Sequence, residues 1–301
     1  MHTITRDHIV YSFSREHQPV LEIDPGDTIR FETYDARTGT IRSADDLLDH
    51  PHPRGANPAT GPVFVRGAQP GDTLCVEILG IQLASQGFIA IKAGVGNLGH
   101  LADRYVTKIV RIEEGIVHFD ERFHFPARPM VGVIGTAPAE ADVPTLYPGP
   151  HGGNMDHNDV KPGVRVYLPI FVEGALFGLG DVHAAMGDAE ASMTGIEICA
   201  EVTVQVNLIK GESITRPWIE TEAAWMSTGD APKLADAITT ACEEMAKRLQ
   251  RQLSISFEDA YFLITAIGDV RIGQACDPDN FPATIRVVFP KALFALAETR
   301  L

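Results

Sequence analysis

The sequence has few cysteines and no long apolar run. Its four cysteines, Cys75, Cys199, Cys242 and Cys276, form no CxxC pair in 301 residues. A chain of this length builds its core without disulfides, so we expect free thiols in a reducing, cytoplasmic compartment. No stretch approaches the roughly 20 apolar residues of a membrane helix. The first residues also lack the apolar run of a signal peptide.

Basic and aromatic residues are also scarce. Lys and Arg number 25 against 40 Asp and Glu, which gives a formal net charge of −15. Nucleic acids and anionic membranes both require a basic face, so we expect neither as a partner. Aromatic residues make up only 7%, which argues against the aromatic platforms of a sugar-binding protein.

Apolar residues make up 45% of the chain, enough for a large core in one to three domains. The first 210 residues are rich in strand patterns. The clearest runs over 196–208, where apolar residues alternate with Glu197, Cys199, Glu201 and further polar residues. Strict alternation predicts an antiparallel strand with one buried face and one wet face.

Helical patterns come late in the chain. Asp230-Ala231-Pro232 predicts a helix start, and an apolar stripe follows at Leu234, Ile238, Ala241, Met245 and Leu249. A second helix is predicted over Phe257–Ile267, with Ser256 as its cap. Ile285–Phe289 predicts a closing strand. The chain is therefore expected to be mainly β with a C-terminal α+β portion.

The first candidate site follows a predicted buried strand, in Gly180-Asp181-Val182-His183 and the continuation to Glu190. Residues two apart on a strand share a face, so Asp181 and His183 would project together. Asp188 and Glu190 add a second pair after the turn at Gly187. This oxygen and nitrogen set suits Zn, Mn, Fe or Ca, although a solvated acidic loop would show the same residues.

The second candidate is the glycine-rich segment 149–156. Gly152 and Gly153 could point backbone N–H groups at an oxyanion, and Asn154 adds an amide donor. Asp156 and His151 offer a ligand or a base. The stretches 164–172 and 175–181 predict a hairpin with Glu173-Gly174 at its turn, which would bring both segments to one sheet edge. A turn-rich connector remains the alternative.

Two other patterns give little support for a nucleotide-binding site or a catalytic nucleophile. Gly94-Val95-Gly96-Asn97-Leu98-Gly99 matches GxGxxG, but a strand pattern follows it and no βαβ alternation surrounds it. A GxSxG elbow is absent from the sequence. Among the cysteines, only Cys276 lies in a predicted loop, and we give it little weight as a nucleophile.

Three phrases carry a resemblance to a known family: GPHGGNMD (149–156), VYLPIFVEGALFGLGDVHAAMGDAE (166–190) and NPATGPVFVRGAQPGDTL (57–74). In this order they resemble the acetamidase/formamidase family. The resemblance implies hydrolysis of short aliphatic amides, a jelly-roll-like β-sandwich body and a homo-oligomer, for which we expect a dimer. Longer formamidase members have a histidine where this chain has Asn57 before Thr60-Gly61-Pro62, which bears on whether formamide itself is a substrate.

The residues and the resemblance together predict a metal-assisted amidase. Asp181 and His183 would hold the metal, most often Zn in such sites, with Asp156 or Glu190 completing the ligand set. The remaining acid, for which we choose Glu190, would move the proton. Asn154 and the glycine N–H groups would hold the oxyanion. Gly152, Gly153, Asn57 and Thr60 are the predicted substrate contacts.

Three alternatives remain open at this point. They are a hydrolase of larger or cyclic amides, a β-sandwich that only binds metal, and a nucleotide-dependent oxidoreductase. For the organisation of the chain we predict an N-terminal β portion (1–80), a small β-barrel-like insertion (81–150), a β core carrying the site (151–215) and the α+β portion (216–301).

Overall fold

The computed structural model describes residues 1–51, 55–277 and 280–294. Within these residues the chain forms 21 strands and two α-helices. Strands β1–β7 are His2–Ile4, Ile9–Val10, Ser12–Phe13, Leu21–Ile23, Thr28–Thr33, Ala59–Val65 and Thr73–Ile91. Strands β8–β14 are Val106–Glu113, Ile116–His118, His124–Pro126, Met130–Gly135, Val143–Pro144, Pro148–Gly149 and Gly152–Asn154.

The C-terminal half contains both helices. Strands β15–β19 are Arg165–Pro169, Phe177–His183, Glu197–Ile209, Trp218–Glu220 and Ala224–Ala231. Helices α1 (Leu234–Leu253) and α2 (Phe257–Ile267) follow, and then β20 (Asp269–Ile272) and β21 (Ala283–Pro290). Nineteen strands share one hydrogen-bonded network, and β3 pairs with β12 as a separate ribbon. The prediction of a mainly β fold with a C-terminal α+β portion is confirmed.

Strand β17 is the centre of the sheet. It pairs antiparallel with β5, β7 and β16, and its apolar side chains from Ile198 to Val206 are buried in the main core. The intervening side chains from Cys199 to Gln205 are partly exposed, as their alternation predicts. Glu197 is the exception because it is buried. The prediction that Glu197 faces water is therefore wrong at the end of the strand that meets β16.

The C-terminal portion has its own core. Helix α1 packs Ala241, Met245 and Leu249 against the apolar side chains of β21. On β19, a Cβ at Gly229 would lie 2.4 Å from the carbonyl oxygen of Ala237, so only glycine lets the helix come this close. The helix begins at Leu234 rather than at 230–232, because β19 continues to Ala231 in its pairing with β21.

Helix α2 has the predicted bounds. The Oγ of Ser256 accepts a hydrogen bond from the backbone N–H of Asp259 at 3.0 Å, which satisfies one free donor of the first turn. The stretches 108–112 and 116–119 around Glu113-Glu114-Gly115 also predict a hairpin, and β8 and β9 form it. Neither helix in the described ranges is long and apolar enough to cross a membrane.

The predicted hairpin between 164–172 and 175–181 is wrong. Strand β15 pairs with β7 and β18, whereas β16 pairs with β6, β11 and β17. Strand β7 also continues from Thr73 to Ile91, through the predicted boundary at 80/81. The division into four portions, the β-sandwich and the barrel-like insertion stay predictions.

Candidate active site

Strand β11 brings the two candidate segments together. It pairs on one side with β14, where Val133 lies opposite Asn154, and on the other with β16, where Met130 lies opposite His183. The glycine-rich segment and the Asp181–His183 segment therefore flank one strand. They meet as we expect from the sequence, although through β11 rather than through a hairpin.

Five ionisable side chains converge there. Asp156, Asp181, His183, Glu190 and Glu197 are all buried. The Nε2 atom of His183 lies 3.7 Å from Oδ1 of Asp181 and 3.2 Å from Oε1 of Glu197. In two groups, one ligand atom from each residue lies within 4.8 Å of the others: Asp156 with His183 and Glu190, and Asp181 with His183 and Glu197. We call these five residues the acid–histidine cluster.

The backbone of the cluster is strained. Asp156, Asp181 and Glu190 have φ values of +47°, +53° and +49°, in the left-handed region. Residues held in such regions cost about 1–3 kcal/mol each and concentrate at functional sites. Three of the five cluster residues thus have a left-handed backbone, and one of them, Asp181, lies within strand β16.

Several polar atoms of the cluster lack a partner. Among the described residues, no hydrogen bond reaches Oδ1 of Asp156, Oδ1 of Asp181, Oε2 of Glu197 or either ring nitrogen of His183. Glu197 is close to His183 but lacks the alignment of a hydrogen bond. Leaving a buried polar group unsatisfied costs about 1–3 kcal/mol, so these atoms would gain from binding a cation.

Burial also makes the cluster hold protons. Burial and the neighbouring Asp181 raise the pKa of Asp156 to about 8. Burial raises the pKa of Glu197 to about 7 although His183 opposes the shift. Burial and Asp156 raise the pKa of Glu190 well above its ordinary value. A carboxyl group that resists ionisation here would ionise readily beside a cation.

The charge on His183 is set by its neighbours. Burial alone would lower the pKa of His183, but Glu197 and Asp181 outweigh burial and raise it well above its ordinary value. The carboxylates around the ring thus favour its protonated form. A divalent ion could take the place of that proton.

Three side-chain amides border the cluster. The Nδ2 of Asn57 donates to Oδ2 of Asp181 at 2.7 Å and to Oδ1 of Asn154 at 3.0 Å. The Nε2 of Gln274 donates to the backbone carbonyl of Asn154 at 3.2 Å. These contacts fix Asn57 and Asn154 beside the acids, where an amide can orient a polar ligand.

A cavity of about 230 Å³ opens onto these residues. It is smaller than the roughly 300–1,000 Å³ of drug-sized ligand sites, so it suits a small molecule. Glu190, Glu197, Asn57, Asn154 and Gln274 form part of its polar wall. The apolar part includes Ala36, Leu48, Phe88, Leu146 and Phe281.

Other predicted site residues lie elsewhere. The hydroxyl of Thr60 donates to the backbone carbonyl of Glu32 at 2.8 Å, and Thr60 does not line the cavity. Gly152 and Gly153 pair with β13 on one side and β11 on the other, and they also lie outside the cavity wall. These three residues therefore lie in the sheet beside the site and not on the cavity wall.

Asp188 also lies outside the acid–histidine cluster. Its Oδ1 accepts hydrogen bonds from Nη2 of the buried Arg286 and from Nδ2 of Asn158, both at 2.9 Å. Its side chain is 43% exposed. Of the two acids predicted as a same-face pair, Glu190 enters the cluster and Asp188 neutralises an arginine.

Sequence reasoning misses Glu197 and Gln274. The alternation on β17 assigns Glu197 to water, and only the pairing of Glu197 with His183 across β16 and β17 shows where it points. Gln274 follows β20, far along the chain, in a segment without a recognisable motif. The one available signal for Glu197 is an acid at the first position of a strand.

Neither rejected motif gains support from the structure. The GxGxxG segment leads into a single 3-10 turn at Gly99–Leu101 and then into β8, so it has no βαβ context. Burial and Glu190 raise the pKa of the Cys276 thiol to about 12, which disfavours a thiolate nucleophile. The richness of 45–61 in Gly, Pro, His and Asp also predicts a long loop, of which residues 52–54 lie outside the described residues.

The family model for acetamidases and formamidases matches residues 6–147 and 139–296. The chain belongs to the acetamidase/formamidase family. Two solved structures are similar to it over almost their whole length. The acetamidase from Bacillus halodurans is 36% identical with a TM-score of 0.94, covering 98% of this chain and 99% of that chain.

The second is a structure from Thermoanaerobacter tengcongensis, described as a predicted acetamidase/formamidase. It is 37% identical with a TM-score of 0.95 and covers 100% of this chain and 99% of its own. Among curated relatives, the formamidase of Methylophilus methylotrophus is 27% identical over 62% of this chain. This chain spans only 61% of that formamidase's length.

Proposed function

We propose that this family member hydrolyses small aliphatic carboxamides, of the acetamide and formamide type, with the help of a divalent metal ion. The observation that carries the proposal is the set of unpartnered, buried ligand atoms of Asp156, Asp181, His183 and Glu197 beside a small cavity. Membership in the acetamidase/formamidase family supports the reaction type.

The donor set fits a metal of intermediate hardness. Asp156, His183 and Glu190 form one candidate ligand group, and Asp181, His183 and Glu197 form the other. One imidazole with carboxylates favours Zn over Ca, which prefers six to eight oxygen ligands. A bound divalent ion would polarise the substrate carbonyl and make a water molecule more acidic.

The remaining steps belong to side chains at the cavity. Asn154 and Asn57 would orient the substrate carbonyl. Glu190, which faces the cavity, would accept a proton from the attacking water and pass it to the leaving nitrogen. Water oxygen then bonds to the carbonyl carbon, the C–N bond breaks, and the products are a carboxylate and ammonium.

The test is ammonia release from formamide, acetamide, propionamide and butyramide before and after metal removal. We expect activity to disappear on removal of the metal and to return on addition of Zn or Mn. Activity that persists without metal would overturn the metal's role. Ammonia released only from larger or cyclic amides would show that the substrates are those amides instead. If no amide released ammonia, the amidase proposal would fail and metal binding would be the remaining function.

Two further expectations accompany this proposal. We expect a homo-oligomer, most simply a dimer, whose stoichiometry light scattering would measure. We also expect a cytoplasmic location, because all four cysteines are free thiols.

A further inference from the structure

The cavity has cations as well as acids on its wall. Arg37 and Lys92 both line it, together with Glu190, Glu197 and Asn57. Both cationic side chains are about half buried. The acids on the wall belong to the acid–histidine cluster, whereas neither cation contacts that cluster through a hydrogen bond or ion pair in the described ranges. The proposed reaction on a simple amide uses neither of them.

Neither cation forms an ion pair within the described part of the chain, although Asp35 and Asp49 lie near Arg37 and Asp277 lies near Lys92. Lys92 makes no side-chain hydrogen bond or ion pair there. Arg37 donates from Nη2 to the backbone carbonyl of His50 at 2.8 Å, and its Nε is buried without a partner. The nearby carboxylate of Asp35 accepts the backbone N–H groups of Arg37 and Gly39 instead.

Burial disfavours the charged form of both cations. Burial lowers the pKa of Arg37 although Asp35 and Asp49 oppose the shift. Burial and the charge of Arg37 lower the pKa of Lys92 although Asp277 opposes the shift. Two half-buried cations that repel one another over a cavity gain from an anion between them, through charge-assisted hydrogen bonds.

We propose that the preferred substrates are amides that also carry a carboxylate, namely monoamides of short dicarboxylic acids. Arg37 and Lys92 would bind the carboxylate while the amide faces Glu190 and Asn154. Water adds to the amide carbon, the C–N bond breaks, and the monoanion becomes a dicarboxylate plus ammonium. This inference rests on the proposed amidase function and specifies its substrate class.

The test compares substrates of equal shape and different charge. Succinamate and malonamate are set against the neutral succinamide and malonamide, and kcat/KM is expressed per amide group. We expect the anions to be favoured at least about tenfold, which corresponds to about 1.4 kcal/mol, a modest value for hydrogen bonds to charged groups. Added salt should weaken the preference by screening.

The variants Arg37→Gln and Lys92→Gln should each lower the ratio of anion to neutral kcat/KM by about tenfold. Matched controls remove the same charge outside the cavity. Arg111→Gln changes a side chain that is 68% exposed, and Lys233→Gln changes an exposed residue before α1. Both controls should keep the wild-type ratio. Each ratio compares two substrates on the same variant. A general loss of folded protein lowers both kcat/KM values equally and therefore leaves the ratio unchanged.

The outcomes separate this inference from the amidase proposal. Ammonia from acetamide and succinamide without preference for the anions overturns the substrate class only. A preference that survives both cavity substitutions removes Arg37 and Lys92 from its cause and overturns the inference. No ammonia from any of these amides overturns the amidase proposal, and this inference with it.

Discussion

Glu190 has two possible roles because it contacts two environments. It belongs to a ligand group with Asp156 and His183, and it also faces the cavity. Glu197 is placed in the same way, in the group with Asp181 and His183. A proton-transferring acid must reach the substrate. Glu190 and Glu197 line the cavity whereas Asp156 and Asp181 do not, so the two glutamates are the better candidates.

Glu190→Gln separates the ligand role from the proton-transfer role. Glutamine keeps the shape and one oxygen donor but cannot accept a proton from water. We expect the variant to retain its metal and to lose about 10²–10⁴ in kcat, which is the usual size of general acid–base catalysis. Metal content by mass spectrometry and ammonia release by assay give the two readouts.

The matched control is Glu140→Gln, the same change at an exposed position. It should leave both readouts at wild-type values. If Glu190→Gln retained full activity, the residue would have no part in proton transfer. If the variant lost its metal together with its activity, the main role of Glu190 would be to bind the metal.

At the scale of secondary-structure elements, the sequence predicts local features and misses pairings. The helices, the β8–β9 hairpin and the alternation of β17 are visible because each depends on neighbouring residues. The placement of β11 between β14 and β16 joins residues far apart in the chain, so no local pattern reports it. Asp181 and His183 are predicted as a pair because they lie on one strand, whereas Glu197 needs knowledge of the partner strand.

Gly195 provides a test of how closely the segment before β17 packs against His183 of β16. It lies at the end of the 187–195 segment, just before β17, and a Cβ there would lie 2.6 Å from Cγ and Nδ1 of His183. The ring cannot move away freely because Asp181 and Glu197 enclose it. We expect Gly195→Ala to lower metal affinity and to destabilise the fold by about 1–3 kcal/mol, as overpacking usually does.

Gly187→Ala is the control for that variant. It lies in the same segment, and a Cβ there would meet nothing within 4 Å. Its melting temperature and metal affinity should match the wild type. Equal behaviour of the two alanine variants, measured by thermal melts and metal titration, would show that His183 is not held by this contact.

At the scale of the whole molecule, composition and periodicity predict the class of fold but not its partition. Strand-forming patterns fill the first part of the chain and capped amphipathic patterns fill part of the last, which is why the mainly β and α+β portions are recognisable. Strand β7 spans 19 residues and pairs with β8, β15 and β17, so it joins regions that the sequence separates. Domain boundaries inferred from predicted turns do not detect a long strand of this kind.

The stability of the whole protein should depend on metal and pH together. In the metal-free protein, the pKa of Asp156 is raised from 3.8 to about 8, and that of Glu197 from 4.5 to about 7. At these two carboxyl groups the folded state therefore binds more protons than the unfolded chain between about pH 4 and 8. By linkage, the metal-free protein loses stability as pH rises through that interval.

A bound divalent ion removes the reason for this loss, because the carboxylates then ionise against a positive charge. Protons compete with the metal at low pH, so the metal should bind more tightly as pH rises. At a free metal concentration about 100 times Kd, binding adds ~2.7 kcal/mol to stability. We expect the rise in melting temperature caused by Zn to be small at pH 5 and to grow towards pH 8, when measured by thermal melts in matched buffers. Potassium at equal ionic strength should give no such rise, and a Zn effect that is constant across the pH range would show that the acid–histidine cluster does not exchange protons for metal.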